Sequence, residues 1–402
     1  MEMFCKDCYD SFGVVKEIDQ YLFSTSKSLD KKNSPIAALG AESMDLLLLS
    51  EVYDMFANKE LCLDMMLSKL ERVKILLNNF SFGTRMFGGL LELTIVISFV
   101  CEKTGHFNLA MLSLKEQLEE LILTKIDESE QQINSINVSQ YDLIAGLSGV
   151  GVYLNLVDSH NAKLLDALIN YFKKLCIKNE NKYGWFVEFE NQIRTNEEFE
   201  RFKFGHYDCG MAHGIAAPLA ILSELYKLGK VDNKEILNIL DFYEKIKFVK
   251  KDITIYPGKV GPDFKSPYMG LNLSWCYGIP GISMSLIKAY SILGMKEELE
   301  ATLSNLINIC EEINKNDKII NLSTYTLCHG YAGLMCCFNQ IFHITHEKSV
   351  EKAIKVIRPH IMKNLESIKN NFSVLEGKQG VLLSLLSTIK DSTDYEKLLL
   401  IK

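Results

Sequence analysis

Two cysteines and two histidines stand shortly before glycines in three stretches of the sequence. Cys276 in "SWCYG" and Cys328 in "LCHG" each lie two residues before a glycine, and His329 lies one residue before the same glycine as Cys328. Thiolate and imidazole are ligands that Zn²⁺ prefers, and three protein ligands leave a fourth tetrahedral position open, as in catalytic zinc sites. The pattern predicts one catalytic zinc ion held by Cys276, Cys328 and His329.

The predicted ligand set indicates chemistry on a substrate thiol. A zinc ion bound by two thiolates and one imidazole carries no net charge, and a third thiolate from a substrate would make the site negative and its sulfur nucleophilic. Zinc would also lower the pKa of that thiol. Each residue alone has a structural explanation, since cysteines are often small core residues and a histidine can cap a helix. The repeated offset from a glycine favours the metal site.

A candidate acid–base pair has a similar placement. His213 in "MAHG" lies one residue before a glycine, and Asp142 lies four residues before Gly146. A histidine beside a carboxylate can move protons in catalysis. A lone aspartate at a helix entrance is often an N-cap, however, and a lone histidine is often a satisfied core residue. Catalysis is the favoured interpretation for His213, and both interpretations of Asp142 stay open.

The glycines belong to a repeat that would position these residues. Each motif is followed by an apolar run, and the first glycines are spaced 47 to 68 residues apart at Gly89, Gly146, Gly214, Gly278, Gly330 and Gly377. The apolar runs predict buried inner helices. Amphipathic stretches between them, such as "AKLLDALINYFKKL", predict outer helices. Glycine at each helix entrance permits either a close backbone approach or a positive φ.

The repeat predicts an all-α protein in which about six or seven helix pairs form an α/α toroid, a double-layered barrel. Equivalent positions of successive units then lie at one end, so the candidate residues can meet at one mouth. We expect a single domain over residues 1–402, with longer insertions at about 179–207 and 252–271. Such insertions form a binding surface or are tolerated loop growth.

The composition limits the partners and the compartment. Hydrophobic residues make up 48% of the 402 residues and the net charge is −7, without a basic block, so nucleic acid is not an expected partner. The N-terminus lacks the pattern of a secretory signal, and the longest apolar run is too short to span a bilayer. We expect a cytoplasmic protein whose 11 cysteines are reduced.

Five motifs, in order, resemble the lanthionine synthetase C family, the lantibiotic cyclases. They are "YDLIAGLSG", "GMAHGIAAPLAIL", "SWCYGIPGI", "LCHGYAGL" and "LEGKQGVLLSLL", and the resemblance runs from about residue 85 to the C-terminus. It implies an α/α toroid, one Zn²⁺ on Cys276, Cys328 and His329, and His213 with Asp142 as acid–base residues. The implied reaction is Michael-type addition of precursor-peptide cysteine thiols to dehydroalanine or dehydrobutyrine, which forms lanthionine and methyllanthionine thioether rings.

The resemblance carries further expectations. Trp275 and Tyr277 flank the first ligand and would position the peptide or pack in the core. The partners would be a dehydrated precursor peptide, a dehydratase and an ABC exporter, which would hold the protein at the inner membrane face. One departure is Asn272, where some members of the family carry an arginine; His206 and Lys259 are candidate replacements in the insertions.

Two other functions are compatible with zinc and thiol chemistry. The first is a non-catalytic, zinc-containing protein of the same family that binds glutathione or a peptide. The second is a prenyltransferase-like enzyme that alkylates a protein thiol. The paired His213 and Asp142 favour catalysis over simple binding, and a Cys-His-Gly motif at a helix entrance argues against the prenyltransferase.

Overall fold

The computed structural model describes residues 3–10, 13–25, 34–179, 182–192, 200–368, 374–390 and 392–402. Within this part of the chain, an inner layer consists of seven helices: α2 (Pro35–Val52), α4 (Leu90–Thr104), α7 (Leu147–Leu156), α9 (Ala216–Lys227), α11 (Ile279–Leu293), α13 (Tyr331–Thr345) and α15 (Lys378–Leu386). Each inner helix contacts the next, and α15 contacts α2, so the ring is closed. The predicted α/α toroid is confirmed.

An outer layer of seven helices surrounds this ring in the described residues: α1 (Val14–Thr25), α3 (Lys59–Asn79), α5 (Asn108–Gln131), α8 (Ala162–Leu175), α10 (Lys234–Ile246), α12 (Lys296–Lys315) and α14 (Lys348–Asn364). In α5 the buried residues are Leu114, Leu118, Ile122, Ile126 and Ser129, which form one stripe along the helix. The inner helix α7 is instead buried from Leu147 to Leu154. The burial therefore follows the amphipathic and all-apolar patterns of the sequence.

The glycines at the helix entrances permit a close backbone approach. Gly330 precedes α13 with an extended backbone at φ −125°. A Cβ there would lie 2.5 Å from the carbonyl oxygen of Thr324 and 2.6 Å from the amide nitrogen of Thr326. Gly278, before α11, is likewise extended, at φ −97°. The alternative of a positive φ is therefore wrong at these two positions.

The first inner helix, α2, lies outside the glycine repeat. Helix α2 begins after Ser34, whose hydroxyl accepts a hydrogen bond from the Ala37 amide at 3.2 Å, and Pro35 occupies its first turn. This is ordinary N-capping and requires no glycine. Helix α1 then packs on α15, so the outer layer also joins the two ends of the chain.

Side chains also fasten the C-terminal segment to α2. The buried Glu51 carboxylate, at the end of α2, accepts hydrogen bonds from the backbone amides of Asp394 and Tyr395. These two residues begin the short helix α16 (Tyr395–Leu398), and the other short helix of the described chain, α6 (Val138–Tyr141), precedes α7. Glu51 therefore satisfies amides at the start of α16 while joining both ends of the ring.

The two insertions form short antiparallel strand pairs on the toroid: β1 (Lys178–Asn179) with β2 (Lys182–Tyr183), β3 (Tyr207–Asp208) with β6 (Lys259–Val260), and β4 (Phe248–Lys250) with β5 (Ile253–Ile255). The β3–β6 pair joins one insertion to the other and sets Asp208 opposite Lys259. Of the insertion expected at 179–207, residues 180–181 and 193–199 lie outside the described residues. Among the described helices, none has the length and apolar character needed to cross a membrane.

Candidate active site and metal centre

Backbone hydrogen bonds run from unit to unit around one mouth of the toroid. Each acceptor carbonyl lies two residues before the glycine of its own unit. Each bond runs from a donor amide to an acceptor carbonyl of the next unit. The five bonds are Met86 to Ile144 (3.0 Å), Leu143 to Ala212 (3.1 Å), Met211 to Cys276 (2.7 Å), Cys276 to Cys328 (3.2 Å) and Cys328 to Leu375 (2.9 Å). Because these bonds join the same turn of successive units, residues with similar offsets from a glycine become neighbours in space.

Cys276, Cys328 and His329 meet at this mouth, and their ligand atoms all lie within 4.8 Å of one another. The Cys276 sulfur is 2.7 Å from Nδ1 of His329. Both cysteines are buried, whereas the His329 side chain is 52% exposed. Ligand atoms around a tetrahedral zinc ion are separated by roughly 3.5 Å, so this group could hold a metal ion with one side open.

The hydrogen bonds within this group favour a thiolate at Cys276. The bond with the Cys328 thiol is the largest influence and, together with His329, it lowers the pKa of Cys276 to about 5. The same bond raises the pKa of Cys328. A metal ion binds thiolate rather than thiol, so a preformed thiolate beside a second cysteine suits a metal centre.

Asp142 and His213 form a pair at the same mouth. Nδ1 of His213 lies 2.6 Å from Oδ2 of Asp142, and the carboxylate is buried. Its other oxygen, Oδ1, accepts hydrogen bonds from the amides of Ala145 and Gly146, both at 2.7 Å. Asp142 therefore satisfies the turn before α7 and contacts the imidazole at the same time, so its structural role is observed and its catalytic role stays a prediction.

The surroundings of His213 raise its pKa. Burial is the largest single effect and lowers the pKa, but the hydrogen bond and charge of Asp142 oppose it, and the charges of Asp208 and Cys276 add to this opposition. Because Nδ1 is engaged by Asp142, Nε2 is the nitrogen that remains for proton transfer. The imidazole can therefore hold a proton closer to neutral pH than an unperturbed histidine does.

Trp275 and Tyr277 flank Cys276 but have different surroundings. Trp275 is fully buried, and its indole nitrogen donates to the Leu399 carbonyl at 3.2 Å. Of the two alternatives for Trp275, this burial agrees with core packing. The Tyr277 ring lies 6.1 Å from the His213 ring in a stacked arrangement, and Tyr277 also lines a cavity of about 540 Å³.

Comparison with known proteins decides the family to which the chain belongs. Residues 46–400 match the family model described as "Lanthionine synthetase C-like protein". The chain belongs to this family. The match begins before the region of resemblance found in the sequence, because it also includes the C-terminal part of α2 and all of α3.

Individual relatives agree with this assignment. The chain is 24% identical over 314 residues to "Nisin biosynthesis protein NisC" from Lactococcus lactis subsp. lactis, covering 75% of this chain and 72% of that protein. A shorter match, 32% over 77 residues, covers 19% of this chain and 18% of "Glutathione S-transferase LANCL1" from Danio rerio. The solved structure titled "Nisin cyclase" superposes with a TM-score of 0.80 at 22% identity, covering 97% of this chain and 96% of that one, which shows that the fold is shared.

Asn272, the departure noted in the sequence, has a structural role in this lanthionine synthetase C-like chain. Its Oδ1 accepts hydrogen bonds from the Ser274 amide at 2.9 Å and from the Ser274 hydroxyl at 2.8 Å. That hydroxyl lies 3.5 Å from the Cys276 sulfur. Asn272 therefore shapes the turn that presents a candidate metal ligand and supplies no charge.

The candidate replacements for the arginine, His206 and Lys259, both contact the buried carboxylate of Asp208. Lys259 Nζ is 3.5 Å from Oδ1 of Asp208, and His206 Nε2 is 2.7 Å from Oδ2 of the same carboxylate. The lysine also lies 5.8 Å from the centre of the Tyr277 ring. The strand pairing that sets Asp208 opposite Lys259 thus brings a cation close to the candidate active site.

Sequence reasoning missed one acidic residue beside the candidate metal ligands. Glu376 lies one residue before Gly377, the offset that His213 and His329 have from their own glycines. Its Oε1 lies 3.8 Å from Nε2 of His329. The signal was present in the motif "LEGKQG", and the same offset would have identified it.

Proposed function

We propose that the protein is a zinc-dependent lanthionine synthetase. It adds the thiol of a precursor-peptide cysteine to the β-carbon of dehydroalanine or dehydrobutyrine, which closes a lanthionine or methyllanthionine ring. The observation that carries the proposal is the meeting of two groups at one mouth of the toroid. The loops that carry the Cys276–Cys328–His329 group and the Asp142–His213 pair are joined directly by the hydrogen bond from the Met211 amide to the Cys276 carbonyl, at 2.7 Å.

Cys276, Cys328 and His329 would hold the zinc ion. Two thiols and one imidazole are a donor set that zinc prefers, and the lowered pKa of Cys276 provides a thiolate for it. When bound, zinc would lower the pKa of the substrate thiol and present its sulfur as a nucleophile. The exposed side of His329 leaves room for a peptide to approach.

His213 would supply the proton that completes the addition. The substrate thiol would give its proton to solvent and its sulfur would form a bond with the β-carbon. His213 would give one proton to the α-carbon and regain one from solvent, so the overall reaction neither consumes nor releases protons. An imidazolium is a suitable donor because its pKa is close to neutral pH. Asp142 would keep Nδ1 protonated and the ring oriented. Its buried carboxylate, held by two backbone amides, supports this orienting role.

The proposed substrate is a precursor peptide whose serines and threonines have already been dehydrated. The similarity to the nisin biosynthesis protein supports a lantibiotic precursor. Association with a dehydratase and an ABC exporter at the inner membrane face stays a prediction, as does a single domain over residues 1–402.

The test is to incubate the zinc-loaded protein with a dehydrated precursor peptide, alkylate the remaining free thiols and determine the peptide mass. Ring closure leaves the mass of the dehydrated peptide unchanged and removes one alkylation site for each ring formed. Full alkylation after incubation with the active, zinc-loaded protein would overturn the proposal.

The same assay separates a second candidate function. The match to a zebrafish protein named as a glutathione S-transferase favours glutathione as an alternative thiol at the same centre. If glutathione binds the zinc-loaded protein and the peptide stays fully alkylated, the glutathione-binding function replaces cyclisation. A peptide that closes its rings in the presence of glutathione supports the cyclase.

A further inference from the structure

In successive units of the toroid, the residue directly before the first glycine lies at the candidate active site. From the third inner helix to the last, these residues are Ala145, His213, Tyr277, His329 and Glu376. His213 and Tyr277 stack on each other, and His329 is a candidate metal ligand. Glu376 is the remaining polar member of the series and has no role in the proposed reaction.

Glu376 lies beside the Nε2 edge of His329 and also interacts with the Cys328 thiol. Nδ1 of His329 is 2.7 Å from the Cys276 sulfur and is therefore the nitrogen on the metal side. Nε2 is instead 3.8 Å from Oε1 of Glu376, which makes the pair an electrostatic contact rather than a closed hydrogen bond. A carboxylate at this position favours a proton on Nε2 and leaves the Nδ1 lone pair for a metal ion.

One hydrogen bond to the carboxylate and two to the neighbouring backbone hold Glu376 in place. The Thr326 hydroxyl donates to Oε2 of Glu376 at 3.0 Å. The backbone next to it is held as well, because the Leu375 carbonyl accepts hydrogen bonds from the amides of Leu327 at 3.1 Å and Cys328 at 2.9 Å. The loop that carries Glu376 and the loop that carries two metal ligands are therefore joined through both side chain and backbone.

We propose that Glu376 is a positioning residue of the metal centre. It selects the tautomer of His329 with the proton on Nε2, holds the ring so that Nδ1 faces the two cysteines, and strengthens Nδ1 as a donor. Thr326 acts through Glu376 by keeping its carboxylate in place. The proposal rests on the proposed function for the identity of the metal as zinc, but its test does not depend on catalysis.

The decisive measurement is zinc affinity, determined by competition with a chromophoric chelator for the folded full-length protein and its variants. Removing such a partner of a ligating histidine typically weakens metal binding about 10- to 100-fold. Glu376→Gln keeps the size of the side chain and removes its charge, so we expect a loss in this range. Thr326→Val should give a smaller loss in the same direction.

A matched control uses another glutamate from the same region. Glu366 pairs with Lys378 at 3.0 Å and its side chain is 86% exposed, with no contact to the metal centre. Glu366→Gln should bind zinc as the wild type does. An unchanged affinity in folded Glu376→Gln would overturn the proposal, and so would an equal loss in Glu366→Gln.

A spectroscopic readout separates orientation of His329 from general destabilisation. Two-bond ¹H–¹⁵N spectra of the zinc-loaded wild type should show His329 protonated on Nε2, and in Glu376→Gln this signal should weaken or broaden while the spectrum of His213 is unchanged. Cobalt substitution tests whether Glu376 is itself a ligand. An altered cobalt coordination spectrum in Glu376→Gln would contradict a positioning role.

A cyclase assay on the wild type tests the proposed function separately from the zinc affinity of Glu376→Gln. If Glu376→Gln loses zinc affinity and the wild type closes no rings, the proposed function fails and the positioning role stands. If the wild type closes rings and Glu376→Gln binds zinc normally, only the positioning role fails.

Discussion

The carboxylate of Asp142 divides its two oxygens between His213 and the backbone of its own turn. Oδ2 contacts Nδ1 of His213 at 2.6 Å, and Oδ1 accepts from the amides of Ala145 and Gly146. The same side chain therefore builds the entrance of α7 and orients an imidazole contributed by the next unit. A substitution that separates these two contacts can test the catalytic one.

Asp142→Asn makes that separation. The amide oxygen of asparagine can still accept from Ala145 and Gly146, whereas its NH₂ group now faces Nδ1 of His213 and favours the opposite tautomer. We expect a fall in the rate of ring closure of about 10²- to 10⁴-fold, with zinc content and fold retained. The measurement is single-turnover cyclisation by mass spectrometry, with metal analysis of the same sample. A normal rate would remove Asp142 from the mechanism.

The pH dependence should follow the raised pKa of His213. Asp142 favours the imidazolium in the folded protein, so the pair stabilises the fold fully below the unfolded-state pKa of about 6.5 and loses this contribution as the pH rises through the folded-state value. If His213 is the acid, ring closure should fall over the same upper range. NMR titration should place the His213 midpoint above 6.5 in the wild type and lower in Asp142→Asn. A midpoint unaffected by this substitution would contradict the pairing.

Two cysteines of one sequence segment offer a matched pair of substitutions. Cys328 belongs to the candidate metal group, whereas Cys336 is buried in α13 with its sulfur 2.9 Å from the Tyr395 hydroxyl. Cys328→Ala should abolish stoichiometric zinc binding because it removes one of three ligands. Cys336→Ala should keep zinc and lower the free energy of unfolding by about 1 kcal/mol, since it leaves a small cavity and removes the weak contact with the Tyr395 hydroxyl. Metal analysis and urea unfolding of both variants provide the check; equal zinc content would contradict the assignment.

Offsets from the glycines were informative in the sequence because backbone hydrogen bonds occur at those same offsets in the structure. Cys276 donates through its amide to the Cys328 carbonyl at 3.2 Å, so two residues 52 positions apart become neighbours through a local rule. The repeat could therefore predict the toroid and bring the candidate ligands together. It could not predict α2, because Ser34 and Pro35 start that helix by capping and leave no glycine signal.

Other parts of the site depend on contacts that the glycine repeat does not generate. Asp208 and Lys259 meet across a strand pair between the two insertions, and no spacing rule links them. Trp275 and Tyr277 flank the same cysteine, yet one packs against the C-terminal segment and the other stacks on His213. Which neighbour faces the cavity is decided by packing of the whole ring, beyond what the local motif specifies.

The close approach at Gly330 gives the last prediction. Gly330→Ala would place a Cβ 2.5 Å from the Thr324 carbonyl oxygen, so the turn that carries Cys328 and His329 must shift. We expect a loss of about 1–3 kcal/mol in the free energy of unfolding, together with weaker zinc binding, because the ligands move with the turn. The control is Gly270→Ala, since a Cβ there meets no atom within 4 Å among the described residues. Urea unfolding and chelator competition should both distinguish the two variants, and a Gly330→Ala protein as stable and as zinc-avid as Gly270→Ala would show that the turn tolerates a side chain.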